Sequence, residues 1–317
     1  MNDNFPAAVS GVPALENYKE ADRVLARIRD YFALTKPEIN ALILISTMGG
    51  FFLASAGGAE LFAWKRLLIA LAGTLLLASG AAALNQAMER RYDCLMRRTM
   101  RRPVAAGRVS PAHAWAFGMI LAAVGAAGLF AGVNMPAGLA GLLAIATYLL
   151  FYTPLKRKTP YCTIVGAMAG AAPVLIGWFA GGGTLTAAAA IPYALLFLWQ
   201  FPHFMSIASI HKADYERAGY QVIPGQGNQR RFIAFWTIVP GAALWLLVAA
   251  PAVAQRSTIV LVAAACILSL GFLWYGVRFA VRQTAFAARQ LLAASILHVP
   301  LALILLIVIA KNGIRTF

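Results

Sequence analysis

Negative charge is the scarcest ingredient of this 317-residue chain, in which 11 Asp and Glu stand against 27 Lys and Arg and charged residues make up only 12%. Hydrophobic residues supply 61%. That leaves too little polar surface to cover a soluble globule, so a large soluble helical protein is excluded. Cysteine is nearly absent too. Cys94, Cys162 and Cys266 are scattered without CxxC or other metal-like spacing and read as free thiols in or beside a membrane. An apolar h-region is missing from residues 1–35, which instead hold Asp3, Glu16, Glu20, Asp22 and Asp30. Neither a secretory signal nor an acid-poor transit peptide fits that pattern, and the stretch reads as a cytoplasmic extension. The net charge of +16 does not point to nucleic acid, because no interleaved aromatic and basic surface lies outside the apolar runs.

What the chain does have is long apolar runs, near 39–57, 67–88, 112–132, 136–153, 162–181, 185–208, 232–253, 257–277 and 291–310. Each is long enough to cross about 30 Å of hydrocarbon, and a single backbone segment spans lipid only as a helix. The expected fold is therefore all-α, a polytopic membrane protein of about nine transmembrane helices. The fourth run is tight, and Pro192 and Pro202 predict kinks in the sixth. With the N-terminus in the cytoplasm, 22 of the 27 Lys and Arg fall on the cytoplasmic side. The other side has Lys65, Arg66, Arg256, Lys311 and Arg315. This asymmetry orients the bundle, and an odd number of spans puts the C-terminus outside.

After Glu60 only four acidic residues remain, Glu89 and Asp93 at the end of the second span and Asp214 and Glu216 beyond the sixth. Asn85, Glu89 and Asp93 recur in steps of four, so a helix carries all three on one face. Such a stripe either holds Mg²⁺ against a diphosphate or is a polar face turned to water, and spacing alone does not choose. Arg97, Arg98, Arg101 and Arg102 follow, with Lys156, Arg157 and Lys158 in the next cytoplasmic loop. Topogenic charge explains much of this cluster, yet metal-binding carboxylates beside phosphate-pairing guanidinium groups are what departure of a diphosphate requires. His203, in Gln200-Phe201-Pro202-His203-Phe204, lies eleven residues before Asp214, nearly three turns, and an unbroken helix would align them. A lone intramembrane His is either a hydrogen-bonded interior residue or a ligand. His113 and His298 have weaker claims.

The run Asn85-Gln86-Ala87-Met88-Glu89-Arg90-Arg91-Tyr92-Asp93, continuing through Met96-Arg97-Arg98-Thr99 to Arg102-Pro103, resembles the first aspartate-rich motif of the intramembrane UbiA-type prenyltransferases. Leu34-Thr35-Lys36-Pro37, Tyr152-Thr153-Pro154-Leu155-Lys156-Arg157, Trp199-Gln200-Phe201-Pro202-His203-Phe204 and Asp214-Tyr215-x-Arg217-Ala218-Gly219 agree with it. The second and third of these are most similar to the heme-farnesylating branch. The resemblance covers about residues 30–310. It implies nine helices around a central cavity, with residues 36–317 forming one prenyltransferase domain; the acidic N-terminal extension points to a bacterial inner membrane rather than a mitochondrial one. It further implies transfer of a farnesyl group from farnesyl diphosphate to a vinyl group of heme b, with heme-recipient assembly proteins as partners. By the same resemblance, Asn85, Glu89, Asp93 and Asp214 hold Mg²⁺ and are catalytic. Arg98, Arg102, Lys156 and Arg157 neutralise the diphosphate, His203 places the heme, and Tyr152, Trp199 and Phe201 are candidates to face the allylic cation. Two departures from the wider pattern are Glu89 in place of Asp and a single motif Asp in the second stretch, preceded by Ile210. His298 stands where Tyr is expected. Competing expectations are a prenyltransferase for another acceptor such as an aromatic quinone precursor, a transporter, and a heme-binding assembly factor without catalysis.

Overall fold

The structure is a computed structural model that describes residues 13–55, 61–225, 227–249 and 259–311. Residues 1–12, Glu60, Arg256 and Arg315, which enter the sequence-based extension and charge asymmetry, lie outside the described residues. The helices are α1 (Pro13–Leu34), α2 (Pro37–Ala54), α3 (Leu61–Asp93), α4 (Pro111–Gly132), α5 (Met135–Ala146), α6 (Thr153–Leu155) and α7 (Cys162–Ala180). They continue with α8 (Ala187–Ile210), α9 (Lys212–Arg217), α10 (Gln229–Ala249), α11 (Ile259–Arg282) and α12 (Ala285–Lys311). Among the described residues, nine helical stretches are long and apolar enough to cross a membrane, one for each apolar run of the sequence.

Local chemistry sets several of the boundaries. Ser110 accepts from His113 N ahead of Pro111, and Asn134 accepts from Ala137 N, so α4 and α5 both start on a side-chain cap with proline in the first turn. The fourth span runs Met135–Leu155, and a π-helical turn, Thr147–Tyr152, separates α5 from α6 within it. At 33 residues α3 is the longest helix. Its length of about 50 Å exceeds the hydrocarbon thickness, so its charged end stands clear of the apolar layer.

The spans pack as a ring. α3 lies against α4, α5 against α7, α7 against α8, and α8 against α10 and α12, while α12 returns to α2 and α2 to both α3 and α7. Glycine makes the tightest crossing possible. A Cβ on Gly50 would overlap Val174 O, and one on Gly177 would overlap Thr47 O, so α2 and α7 meet backbone to backbone. Large apolar side chains such as Leu68, Leu143, Ile267 and Trp274 are exposed on the outer faces. The chain is a multi-pass membrane protein and presents these side chains to lipid. Where α1 meets the bundle, Leu34 is fully buried, Tyr31 packs edge-on to Phe117, and Arg108 pairs with Asp30 at 2.8 Å.

Candidate active site

The ring encloses a cavity whose walls are apolar over most of their height, with Leu42, Ile43, Leu77, Ile145, Ile176 and Leu196 among the lining side chains. One end is highly polar. Asn85, Glu89 and Asp93 line it from α3, as the four-residue spacing requires, and all three are buried. Facing them are Lys36, Arg98, Arg102 and Lys156, four cations against two carboxylates.

Each member of the stripe is held by a different element. Asn85 Nδ2 donates to Thr153 Oγ1 (3.2 Å), which fixes the amide so that Oδ1 faces Lys36 Nζ at 3.4 Å. Thr153 Oγ1 in turn donates to Tyr148 O (2.9 Å), so the π-helical turn sets the Asn85 orientation. Lys156 Nζ lies 2.5 Å from Glu89 Oε1, a close buried ion pair. Asp93 receives both of its oxygens' bonds from Arg102 Nη1, at 2.9 and 3.0 Å. Thr99 Oγ1 donates to Asp93 O (3.0 Å) and turns the chain back after α3.

Charge and burial oppose each other here. Burial, reinforced by the Arg102 guanidinium, lowers the Lys36 ammonium to about 7. For Lys156 burial acts in the same direction, but the Glu89 carboxylate outweighs it and the net shift is upward. Burial and the Glu89 carboxylate beside it raise the Tyr220 phenol. Lys36 also sits at φ 50°, left-handed backbone immediately before a proline, a conformation that a non-glycine residue adopts at a cost of about 1–3 kcal/mol. Its neighbours hold that strain, and the side chain is thereby delivered into the cavity.

A cap closes this end. Met96, Cys162, Ala208, Ala218, Tyr220 and Val222 form a small apolar cluster beneath it, and Gln221 N donates to Lys156 O at 2.7 Å. Asp214 belongs to this cap and not to the cavity wall. Its Oδ1 accepts from Arg97 N (3.1 Å) and its Oδ2 from Arg98 N (3.2 Å), with Arg217 Nη1 3.2 Å from Oδ1. Burial opposes ionisation of Asp214, yet the two backbone bonds outweigh it and hold the carboxyl below its ordinary range.

The structure therefore gathers Asn85, Glu89, Asp93, Arg98, Arg102, Lys156 and His203 on one cavity and leaves Asp214 and Arg157 outside its lining. The expected alignment of His203 with Asp214 does not occur. α8 ends at Ile210, His211 leaves helical geometry, and α9 begins afresh at Lys212. Arg157 lies over the Tyr92 ring and donates to Tyr92 Oη. Of the aromatic candidates, Tyr152 and Trp199 line the cavity, while Phe201 is buried against Trp236 at 5.0 Å. His298 is buried with Nε2 3.1 Å from Ser269 Oγ and its ring against Phe272, away from the cavity lining. Cys94, Cys162 and Cys266 are free.

Lys36, Tyr148, Thr153 and Tyr220 were not singled out as site residues from the sequence. For Lys36 and Thr153 the signal was present, because both lie in stretches that carry the family resemblance.

The donor set suits a hard divalent cation. It is all oxygen, with two carboxylates and an amide on one helix face turned to the cavity. Among the described residues no group of three or more His, Cys, Asp or Glu forms a complete cage. A cation there needs further oxygens from elsewhere, and Mg²⁺ ordinarily takes them from water and substrate phosphate.

Comparison with known proteins places this geometry. Residues 43–309 match the model of the UbiA prenyltransferase family. The chain is 42% identical over 280 residues to a protoheme IX farnesyltransferase of Solibacter usitatus, covering 86% of this chain and 96% of that one. It is 36% identical over 281 residues to the protein of the same name from Opitutus terrae, covering 88% and 93%. A solved UbiA homolog from Archaeoglobus fulgidus, bound to GPP and Mg²⁺, superposes with a TM-score of 0.62 at 17% identity, over 87% of this chain and 99% of that one. The fold is shared with that structure, and the chain belongs to the UbiA prenyltransferase family.

Proposed function

We propose that this membrane enzyme transfers the farnesyl group of farnesyl diphosphate to a vinyl group of heme b, forming heme O. The observation that carries the reaction class is the meeting of the Asn85–Glu89–Asp93 stripe and four cations at one polar end of an otherwise apolar cavity. The acceptor follows from the relatives, which are protoheme IX farnesyltransferases at 35–42% identity over most of the chain.

Asn85, Glu89 and Asp93 would hold Mg²⁺, which when bound supplies positive charge that offsets the diphosphate. Lys36, Arg98, Arg102 and Lys156 take the remaining phosphate oxygens, with Arg98 and Arg102 offering planar forks and the lysines point charges. Asp93 and Glu89 now neutralise Arg102 and Lys156. With diphosphate on Arg102 and Lys156, Asp93 and Glu89 would be released from these internal pairs to hold the cation, so little charge would be left uncompensated. Asp214 acts through the loop, because its carboxylate fixes the backbone that presents Arg98 and Arg102. Arg157 supports the cap through Tyr92 and lies outside the diphosphate's reach.

As the allylic C–O bond breaks, positive charge develops on the farnesyl carbon. Tyr148, Tyr152 and Trp199 line the cavity, and a ring face turned to that carbon would stabilise it through its quadrupole. The vinyl π-electrons form the new C–C bond, water adds to the carbon beside the porphyrin, and one proton leaves to solvent. The apolar wall keeps water from the cation until the acceptor has reacted. His203 places the heme.

The positive residues gathered at the capped end support a bacterial inner-membrane location with that end and the N-terminus cytoplasmic and the C-terminus outside. Incubating the purified protein with heme b, farnesyl diphosphate and Mg²⁺ tests the reading by mass spectrometry of the porphyrins. Heme gaining farnesyl plus water supports it. Unmodified heme, with prenylation of an aromatic acid instead, rejects the acceptor and keeps the diphosphate site. Substrate flux across proteoliposomes without turnover would reject the chemistry altogether.

A further inference from the structure

His203 is pinned at two points, one from its own helix and one from the helix opposite. Its ring stacks on Trp199 with centroids 4.6 Å apart and planes 22° apart, and its Nδ1 lies 2.8 Å from Ser295 Oγ on α12. Trp199 Nε1 donates to Ser295 O at 2.8 Å, so the same fully buried serine holds both rings. The Ser295 hydroxyl has a close acceptor within its own helix. Oγ is 2.6 Å from Leu292 O, a carbonyl that can only accept. With that proton directed to Leu292 O, Ser295 Oγ meets His203 Nδ1 with a lone pair, and the arrangement then places the ring proton on Nδ1. The remaining nitrogen, Nε2, holds an in-plane lone pair, has no partner among the described residues, and belongs to a ring that lines the cavity.

A neutral imidazole oriented through its Nδ1–H and open at Nε2 is the form in which histidine binds a metal. Its depth also fits. His203 lies seven residues before the end of α8 and Asn85 eight residues before the end of α3, about 10 and 12 Å along their helices. The two helix ends lie together, since Asp214 just beyond α8 binds the backbone just beyond α3. By helix rise the imidazole and Asn85 thus stand at similar distances from the capped end, and both line the same cavity.

We infer that His203 Nε2 is the axial ligand of the acceptor heme's iron and that Ser295 is the positioning residue that sets its tautomer. The inference rests on heme b being the acceptor. A dative Nε2–Fe bond forms without displacing a proton, because the imidazole proton already sits on Nδ1. Ligation anchors the porphyrin at its centre and leaves its vinyl edge free to reach the allylic carbon near Asn85. It also separates the two substrates' sites, diphosphate at the polar end and iron against α8 and α12.

The test uses the full chain in detergent with heme b as the probe and without farnesyl diphosphate, so the readout does not depend on turnover. Resonance Raman and absorption spectra of ferrous heme should show an iron–histidine stretch in the wild type. His203→Ala should lose it and regain it on addition of imidazole. Ser295→Ala should keep histidine ligation but shift the stretch to lower frequency, since Nδ1–H loses its acceptor and the imidazole becomes a weaker donor. Ser295→Thr, which restores the hydroxyl, should return the wild-type frequency. Two outcomes overturn the inference. One is an unchanged histidine signature in His203→Ala. The other is a wild type that converts heme to its farnesylated product yet never shows histidine-ligated iron. That second result leaves the proposed reaction standing, whereas absence of both heme binding and heme conversion removes the reaction and the ligand together.

Discussion

Two acidic motifs end at the same face of the bundle, and their oxygens face different partners. The first, Asn85–Glu89–Asp93, lies within one continuous helix and turns every member into the cavity. The second is reduced to Asp214, which lies beyond a helix break and spends both oxygens on Arg97 N and Arg98 N. The difference teaches that a carboxylate's job is fixed by what the backbone around it leaves unsatisfied. α3 satisfies its own amides and leaves its side chains free for a ligand. The loop after α3 has bare N–H groups, and Asp214 is their acceptor. The second motif then serves the first by holding the segment that carries Arg98 and Arg102.

Several substitutions break or sharpen this contrast. Chelation of Mg²⁺ with EDTA, or Asp93→Ala, is expected to lower turnover by about 10²-fold or more, the usual scale for losing electrostatic stabilisation of a leaving group. Heme binding should persist in both cases, which spectral titration would show. Lys156→Met should follow closely, since it removes a diphosphate contact and strands the buried Glu89 carboxylate. Asp214→Ala should act through affinity. Freeing two loop N–H groups costs about 1–3 kcal/mol, read as a ~10–100-fold rise in KM for farnesyl diphosphate with a smaller change in kcat. Glu89→Asp should retain more turnover than Glu89→Gln, because charge matters more than reach, and equal losses would assign Glu89 a geometric role. Arg157→Ala should be the mildest, changing kcat/KM by less than about threefold, as its partner is the Tyr92 ring and not the cavity.

Much of this arrangement could be read from residue order. Nine apolar runs gave nine spans because hydrocarbon forces helix on any segment long enough to cross it. The α3 stripe was legible because a four-residue step and a helical period nearly coincide. Other features depend on tertiary context. Nothing in Ile210-His211-Lys212 announces a helix end, yet the cap needs Asp214 turned back onto α3, and that need outweighs local propensity. The π-helical turn at Thr147–Tyr152 has no compositional mark, although it directs both tyrosines and, through Thr153, the Asn85 amide. Lys36 lay in a stretch that carries the family resemblance, but its reach into the cavity depends on left-handed backbone that residue order does not show. His298, unexplained from sequence, is a buried partner of Ser269 between α11 and α12.

The division of labour between the two motifs is tested most directly by calorimetric titration of farnesyl diphosphate into Asp93→Asn and Asp214→Asn proteins, each with and without Mg²⁺. The account predicts that Asp93→Asn abolishes the gain in affinity that Mg²⁺ confers, while Asp214→Asn binds more weakly overall and keeps the same dependence on Mg²⁺. Loss of the Mg²⁺ dependence in Asp214→Asn, equal to that in Asp93→Asn, would make Asp214 a metal ligand and contradict its role as the holder of the loop.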